Sequence, residues 1–97
     1  MQTIVNTKLI PVLESLNYSV NDAISEFILL KIHNKISEYK NEIYFHTKKY
    51  SKGFSEFEKY INSIENSENL VEYSDYLAWK FADDSLNYYE NQLKSIK

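Results

Sequence analysis

The sequence contains no cysteine and no arginine, and it has one glycine and one proline among its 97 residues. Without cysteine there are no disulfides, no thiol catalysis and no cysteine-ligated zinc. With one glycine, a glycine-rich phosphate-binding loop is excluded. Without arginine, the chain is not a small helical RNase of the type that uses an Arg…His motif. Specific contacts to DNA bases would have to come from Lys, Asn, Gln or Thr.

Long apolar runs are also missing. The longest is the four-residue run Phe27-Ile28-Leu29-Leu30, far short of the roughly 20 residues that span a bilayer. No basic segment followed by a long apolar one marks a secretory signal at the N-terminus. We therefore expect a cytoplasmic protein without a membrane-spanning segment.

The charge is unevenly distributed along the chain. The net charge is −3, but residues 1–53 carry seven lysines and five acids, whereas residues 54–97 carry four lysines and nine acids. Lys48, Lys49 and Lys52 form a small basic cluster, which is weak as a nucleic-acid site because the acidic half follows directly. The acidic half favours a basic protein partner.

One long predicted helix, from Ser19 to Tyr50, organises the chain. Its apolar positions recur at steps of three or four, the period of one helix face. They are Ile24, Ile28, Ile32, Ile36, Tyr39, Ile43 and Tyr50, with Ala23, Phe27 and Leu30 beside the first of them. Ser19 followed by Asp22 is typical of a capped helix start. A helix of this size is roughly 45 Å long, so part of its apolar face must be covered by other segments or by another chain.

The remaining segments predict shorter elements around this helix. Residues 2–10 have the alternation of a short β-strand, and Pro11 suits the start of a short helix from Val12 to Leu16. Gly53 predicts a C-terminal cap for the long helix. Ser55 with Glu58 predicts a second capped start, with Phe54 as a hydrophobic staple in front of it.

A last helix is predicted from Glu68 to about Lys94, and it has two apolar lines. Two lines indicate two buried faces or one wide one. The first line is Leu70, Leu77, Phe81 and Tyr88; the second is Trp79, Ala82, Leu86, Tyr89, Leu93 and Ile96.

Together these segments predict a mainly α fold in one domain, residues 1–97. One long central helix would have two or three shorter helices folded against it, with a short N-terminal β-strand. The predicted layout is an arm and short helix at 1–18, the long helix at 19–52, a short helix at 54–65 and a C-terminal helix at 67–96.

Evidence for catalysis or for a metal site is slight. His33 and His46 point in roughly opposite directions on one helix, and His46 with Glu42 supplies at most two ligands. Neither the Glu38–Glu42 pair nor the adjacent acids Asp83 and Asp84 lie in a recognisable catalytic motif. We therefore expect no cofactor, no metal and no enzymatic activity, and a metal-dependent or hydrolytic enzyme is the least favoured alternative.

Aromatic residues are the class in greatest excess, at 15% of the chain. They occupy more than one helix face, and a domain this small cannot bury them all. Exposed Tyr and Trp are typical of protein interfaces. The predicted partner-binding residues are Tyr44, Phe54, Phe57, Tyr73, Tyr76 and Trp79.

Two segments together carry a family resemblance. The run from Tyr39 to Glu58 resembles small prokaryotic antitoxin-like proteins encoded beside toxin genes, in which a helix ends in aromatic-x-x-Lys-Tyr-Gly and Phe-x-x-Phe-Glu follows. Here Ser51-Lys52 separates Tyr50 from Gly53. The run Tyr73-Ser74-Asp75-Tyr76-Leu77-Ala78-Trp79-Lys80 resembles the acidic, aromatic final helix of the same proteins. The resemblance implies an antitoxin that masks a small basic toxin with its C-terminal helices.

The N-terminus has a weaker resemblance, to ribbon-helix-helix repressors. An alternating strand, a helix and then Ser19 to Ile24 opening a second helix are similar to that family, whose paired strands lie in the DNA major groove. The resemblance implies DNA contacts by Gln2, Thr3, Asn6 and Lys8. One lysine in this segment predicts weak DNA affinity, because neutralising phosphates dominates that affinity.

The leading hypothesis is thus a non-enzymatic protein-binding module, an antitoxin whose partner is a small basic protein, with the N-terminal arm forming a homodimer. The alternative hypothesis is a structural or adaptor homo-oligomer without a toxin. A small basic protein encoded beside this one would favour the first.

Overall fold

The computed structural model describes residues 7–64 and 69–96, and these residues are almost entirely helical. The prediction of a mainly α fold around one long helix is confirmed. The elements are a short 3₁₀ helix, Thr7–Leu9, and four α-helices: α1 Ile10–Ser15, α2 Val20–Tyr50, α3 Phe54–Ser63 and α4 Leu70–Ile96.

The predicted N-terminal strand is wrong where it can be compared with the structure. Thr7–Leu9 is a 3₁₀ helix and Ile10 already belongs to α1, so none of the described residues is in a strand. Residues 2–6, the rest of the predicted strand, lie outside the described residues. Pro11 lies in the first turn of α1 as predicted, where its missing N–H has no helical acceptor to lose.

The turn between α1 and α2 closes each helix end with local hydrogen bonds. Asn17 has a left-handed conformation, φ 60°, which Asn tolerates better than most residues. The Tyr18 amide donates to the Leu13 carbonyl at 2.9 Å and the Asn17 amide to the Glu14 carbonyl at 3.0 Å. This is the Schellman arrangement that ends a helix. The Ser19 hydroxyl then accepts a hydrogen bond from the Asp22 amide at 3.0 Å, which confirms the predicted cap of α2.

The turn between α2 and α3 differs from the prediction. Ser51, with φ 53°, is the left-handed residue after α2, whereas Gly53 is extended, with φ −76° and ψ 166°. Gly53 is the N-cap of α3 and not the C-cap of α2, so that prediction is wrong. The predicted Ser55–Glu58 cap is wrong for the same reason, because α3 already begins at Phe54 and has no side-chain cap.

The start of α4 has a cap that the sequence pattern did not reveal. The Glu72 amide donates to Asn69 Oδ1 at 3.1 Å, and Asn69 Nδ2 donates to Glu72 Oε1 at 2.7 Å. The two side chains therefore support each other across the first turn. The helix begins at Leu70, slightly later than predicted, and residues 65–68 lie outside the described residues.

Backbone contacts group the chain into two compact units, residues 1–32 and 33–97. The expectation of one domain did not anticipate this division, because the apolar stripe of α2 continues across it. The described part of the first unit contains α1 and the start of α2, and the second contains the rest of α2 with α3 and α4. All six buried side chains of the described residues belong to the second unit: Ile36, His46, Phe57, Ile61, Trp79 and Ala82.

The core of the second unit is built from aromatic rings. Phe57, Ile61 and Trp79 form its buried centre. Half-buried side chains from all three helices pack around that centre: Ile43, Tyr50, Phe54, Tyr60 and Tyr76. In α4, Trp79 and Ala82 of the second predicted line are buried, whereas the four residues of the first line are exposed. The helix therefore has one buried face and not two.

We predict that Phe57→Ala destabilises the protein by about 3–5 kcal/mol, because it empties a fully buried ring site. Phe81→Ala is the matched control. Phe81 is 62% exposed and makes one edge-to-face contact, with Tyr39 at 6.0 Å, so its loss should lower the free energy of unfolding by about 1 kcal/mol or less. Urea denaturation followed by far-ultraviolet circular dichroism, at one fixed protein concentration, measures both. Equal losses in the two variants would contradict this description of the core.

Candidate protein-binding surface

Trp79 fixes the orientation of α4 in the second unit, and thereby decides which face of that helix is exposed. Its ring lies 5.4 Å from Phe57 and 5.6 Å from Phe54, both in α3. On the other side it stacks on His46 of α2 at 5.5 Å, with an angle of 16° between the planes. Because Trp79 is 1% exposed, the opposite side of α4 must point away from this core.

Tyrosine hydroxyls bonded to carboxylates join the three helices around the core. Tyr76 of α4 donates to Glu58 of α3 at 2.8 Å, and Tyr60 of α3 donates to Glu72 of α4 at 3.2 Å. Each carboxylate raises the pKa of its tyrosine, because ionising the phenol would lose the hydrogen bond and place two negative charges together. These acids therefore act within the fold.

Asp75 of α4 accepts hydrogen bonds from two side chains of α2. Lys49 Nζ lies 2.7 Å from its Oδ2, and the Tyr50 hydroxyl donates to the same oxygen. The hydrogen bonds from Lys49 and Tyr50 lower the pKa of Asp75. Burial, followed by the bond to Asp75, raises the pKa of Tyr50. This group ties the C-terminal end of α2 to α4.

The outer face of α4 is a continuous apolar stripe. Its positions follow one another at steps of three or four, so they lie on one side of the helix. They are Leu70, Tyr73, Leu77, Phe81, Asp84 and Tyr88. The apolar members are 41–76% exposed, and the stripe runs for about 27 Å along the axis. Side chains of this kind on one exposed helix face are typical of a partner surface.

One exposed acid of α4, Asp84, lies in this outer stripe. The sequence of α4 contains five acids and two lysines. Glu72 and Asp75 are engaged by tyrosines, whereas Asp84 lies in the stripe itself and is 68% exposed, with Lys80 4.0 Å away. The outer face of α4 is therefore apolar with an acidic contribution.

The structure separates the six predicted partner-binding residues into two groups. Phe57 and Trp79 are buried in the core, so a partner cannot reach them in this fold. Their prediction as partner-binding residues is therefore wrong. Phe54 and Tyr76 are half-buried and stack on each other at 5.8 Å. Tyr44 and Tyr73 are exposed.

Of these exposed residues, Tyr73 is the one that belongs to the outer stripe. Tyr44 lies on α2, where Lys48 Nζ is 5.2 Å from its ring centre. Sequence reasoning missed Leu77 and Phe81 as surface residues, although their spacing from Leu70 and Tyr88 marked one helix face.

The other predicted sites are placed as follows. Gln2, Thr3 and Asn6, the predicted DNA contacts, lie outside the described residues, and Lys8 is exposed in the 3₁₀ helix. The basic cluster is engaged within the protein: Lys49 binds Asp75, and Lys52 Nζ lies 4.6 Å over the Tyr60 ring.

His46 is the exception among the buried side chains, since it is polar and 4% exposed. Neither ring nitrogen has a hydrogen-bond partner among the described residues, and its Nε2 is 3.8 Å from Glu42 Oε1. No group of three or more potential metal ligands occurs in the described part of the chain. His46 thus packs as a ring against Trp79, and its two buried nitrogens make no hydrogen bond to the described residues.

A comparison of the chain with protein-family models, with curated proteins and with solved structures gives no match. Within residues 7–64 and 69–96, no helix combines the length and the hydropathy needed to cross a membrane.

Asp75→Asn should lower the free energy of unfolding at neutral pH by about 1–2 kcal/mol, because it weakens two hydrogen bonds to a charged acceptor. The pKa of Asp75 is lowered in the fold, so its stabilisation is complete above about pH 4 and is lost as the pH falls through the folded-state pKa. As the pH is lowered, the free energy of unfolding of this variant should therefore fall less than that of the wild type. Denaturation at a series of acidic pH values measures both. The matched control is Asp84→Asn: Asp84 is 68% exposed and its Oδ2 lies 4.0 Å from Lys80 Nζ, so this change should alter the free energy of unfolding at neutral pH by about 0.5 kcal/mol or less.

His46→Leu should raise the free energy of unfolding by about 1 kcal/mol, because it removes two buried nitrogens that have no partner and keeps a similar volume. His33→Leu, at an exposed position of the same helix, is the control and should change it by about 0.5 kcal/mol or less. Thermal and urea unfolding compare the two. A clear loss in His46→Leu would show that the imidazole makes a favourable polar interaction.

Proposed function

We propose that this chain is a non-enzymatic protein-binding module that recognises its partner with the outer stripe of α4. The observation that carries the proposal is the exposure of that stripe on a helix whose opposite face is fixed by Trp79. The stripe is presented on a packed helix, so binding would cost little ordering entropy there. An exposed apolar helix face suits insertion into an apolar groove of a partner.

The charge of the second half of the chain supports a basic partner. Residues 54–97 carry four lysines and nine acids, and Asp84 lies within the stripe. Complementary charge raises association rates and disfavours other partners. Tyrosines already engage three of these acids, Glu58, Glu72 and Asp75. Fewer acids are therefore available to a basic partner, so apolar contacts supply the anchors.

The most specific form of the proposal is the antitoxin of a protein toxin–antitoxin pair. In this role the outer stripe of α4 covers a small basic toxin. The resemblance of residues 39–58 and 73–80 to antitoxin-like proteins motivates this form, and the acidic, apolar surface of α4 supports it. Phe57 and Trp79 then hold the stripe in place from the core, without contact to the toxin.

Leu77→Glu should abolish binding of a small basic protein encoded beside this chain, because it puts a charge at the centre of the stripe. Val71→Glu is the matched control: Val71 is also an exposed aliphatic residue of α4, but lies on another side of the helix. Co-purification with the neighbouring gene product tests both variants, and circular dichroism checks that each keeps its helices.

The antitoxin form has its own readout. Expression of the neighbouring protein alone should arrest growth, and co-expression of this chain should restore it, except for Leu77→Glu. Binding without growth arrest would support a protein-binding module and overturn the antitoxin. Equal binding by both variants would overturn the assignment to the outer stripe.

A further inference from the structure

Residues 7–32 have helices without a core. Among these residues no side chain is buried in a single copy of the chain. Short helices are marginal in water, and helices in proteins gain most of their stability from packing an apolar face. The 3₁₀ helix, α1 and the first turns of α2 therefore need a cover that the described residues of one copy do not supply.

The uncovered surface is an apolar groove between α1 and α2. Its first part has a volume of about 290 Å³ and is lined entirely by apolar residues of both helices. A second part, of about 480 Å³, continues along α2 to Leu30. The large apolar side chains that line the two parts and stay exposed are Leu9, Val12, Leu16, Ile24, Phe27 and Leu30.

We infer that this groove binds the same groove of a second copy of the chain. The first argument is area. Six large apolar side chains, each exposing about 100 Å², present on the order of 600 Å². That is at the upper limit of the largest apolar patch on a typical monomer. With a polar rim it approaches the roughly 800 Å² per partner of a stable interface.

The second argument is charge. The groove contains one ionisable acid, Glu26, whose carboxylate accepts a hydrogen bond from the Tyr18 hydroxyl at 3.0 Å. A basic partner selected by the acidic half of the chain would find almost no counter-charge here. Two copies of a nearly uncharged surface meet without the repulsion that a net charge of −3 imposes on other faces.

The third argument is the pattern of side-chain size along α2. Val20, Ala23, Phe27 and Leu30 recur at steps of three, four and three, the spacing of a helix-pairing seam. An antiparallel pair with its two-fold axis at the level of Ser25 sets Ala23 opposite Phe27. The same axis sets Val20 opposite Leu30. Each large side chain then meets a smaller one, the self-complementarity that a two-fold interface requires.

Phe27→Glu tests the inference through the mass of the purified chain. Light scattering coupled to gel filtration should give twice 11.5 kDa for the wild type at micromolar concentration and 11.5 kDa for the variant. Phe45→Glu is the matched control, since Phe27 and Phe45 lie on the same helix and are 58% and 59% exposed. This control should remain a dimer.

A crosslinking experiment tests the register and does not require Phe27 to be changed. The chain has no cysteine, so introduced thiols react without background. A mixture of Val20→Cys and Leu30→Cys chains should form a disulfide-linked pair on mild oxidation. Each variant alone should crosslink at least tenfold more slowly, because the antiparallel register keeps identical positions apart.

Three outcomes would overturn the inference. If the wild type is monomeric at tens of micromolar, the groove does not bind a second copy of this chain. A dimer that survives Phe27→Glu but is lost in Leu77→Glu would assign self-association to the outer stripe of α4. Faster crosslinking of each single variant than of the mixture would exclude the antiparallel register. None of these results depends on a partner for the outer stripe, so failure here and failure of the proposed function are separable.

Discussion

The second unit depends on the burial of one tryptophan. Trp79 meets His46 and Tyr50 of α2, and Phe54 and Phe57 of α3, at ring-centre distances between 5.4 and 6.4 Å. A ten-residue helix such as α3 is marginal by itself, so its place is set by what its rings contact. With six buried side chains in residues 7–64 and 69–96, the described part of the chain has little other material from which to build a core. Removing these contacts would leave three amphipathic helices without a common centre.

The inward orientation of Trp79 also places the tyrosines at the edge of the core beside carboxylates of neighbouring helices. Tyrosines at the edge of the core keep their rings in apolar contact and direct their hydroxyls to carboxylates of a neighbouring helix. Hydrogen bonds to charged acceptors are stronger than those between neutral groups. Here they fix the relative orientation of helices whose ring contacts are not directional by themselves. They also explain why three acids of this region, Glu58, Glu72 and Asp75, are engaged within the fold.

The two units show opposite uses of apolar residues. In the second unit the large side chains close on a core, and the remainder forms the stripe along α4. In residues 7–32 comparable side chains line an open groove, and none is buried in one copy. The described residues thus offer two apolar surfaces: the outer stripe of α4, which includes the exposed Asp84, and the groove of the first unit, whose lining acid, Glu26, accepts a hydrogen bond from Tyr18. The self-pairing and the partner binding that we propose would therefore use different helices.

The sequence by itself determined the features that depend on neighbours along the chain. The three-to-four periodicity from Ile24 to Tyr50 specified α2, Ser19 specified where it begins, and the absence of Cys together with the presence of a single Gly removed whole classes of chemistry. These features rest on backbone hydrogen bonding and local side-chain contacts, which a sequence pattern records directly.

Only the tertiary structure decided which of several equivalent apolar faces is buried. The two apolar lines of α4 are alike in composition, and Trp79 enters the core because rings of α2 and α3 surround it, whereas Phe81, in edge contact with Tyr39 at 6.0 Å, stays 62% exposed. The position of Gly53 as an N-cap likewise depends on where α3 docks, since Phe54 must already be helical to stack on Tyr76. Packing joins residues far apart in the chain, and no local pattern encodes that choice.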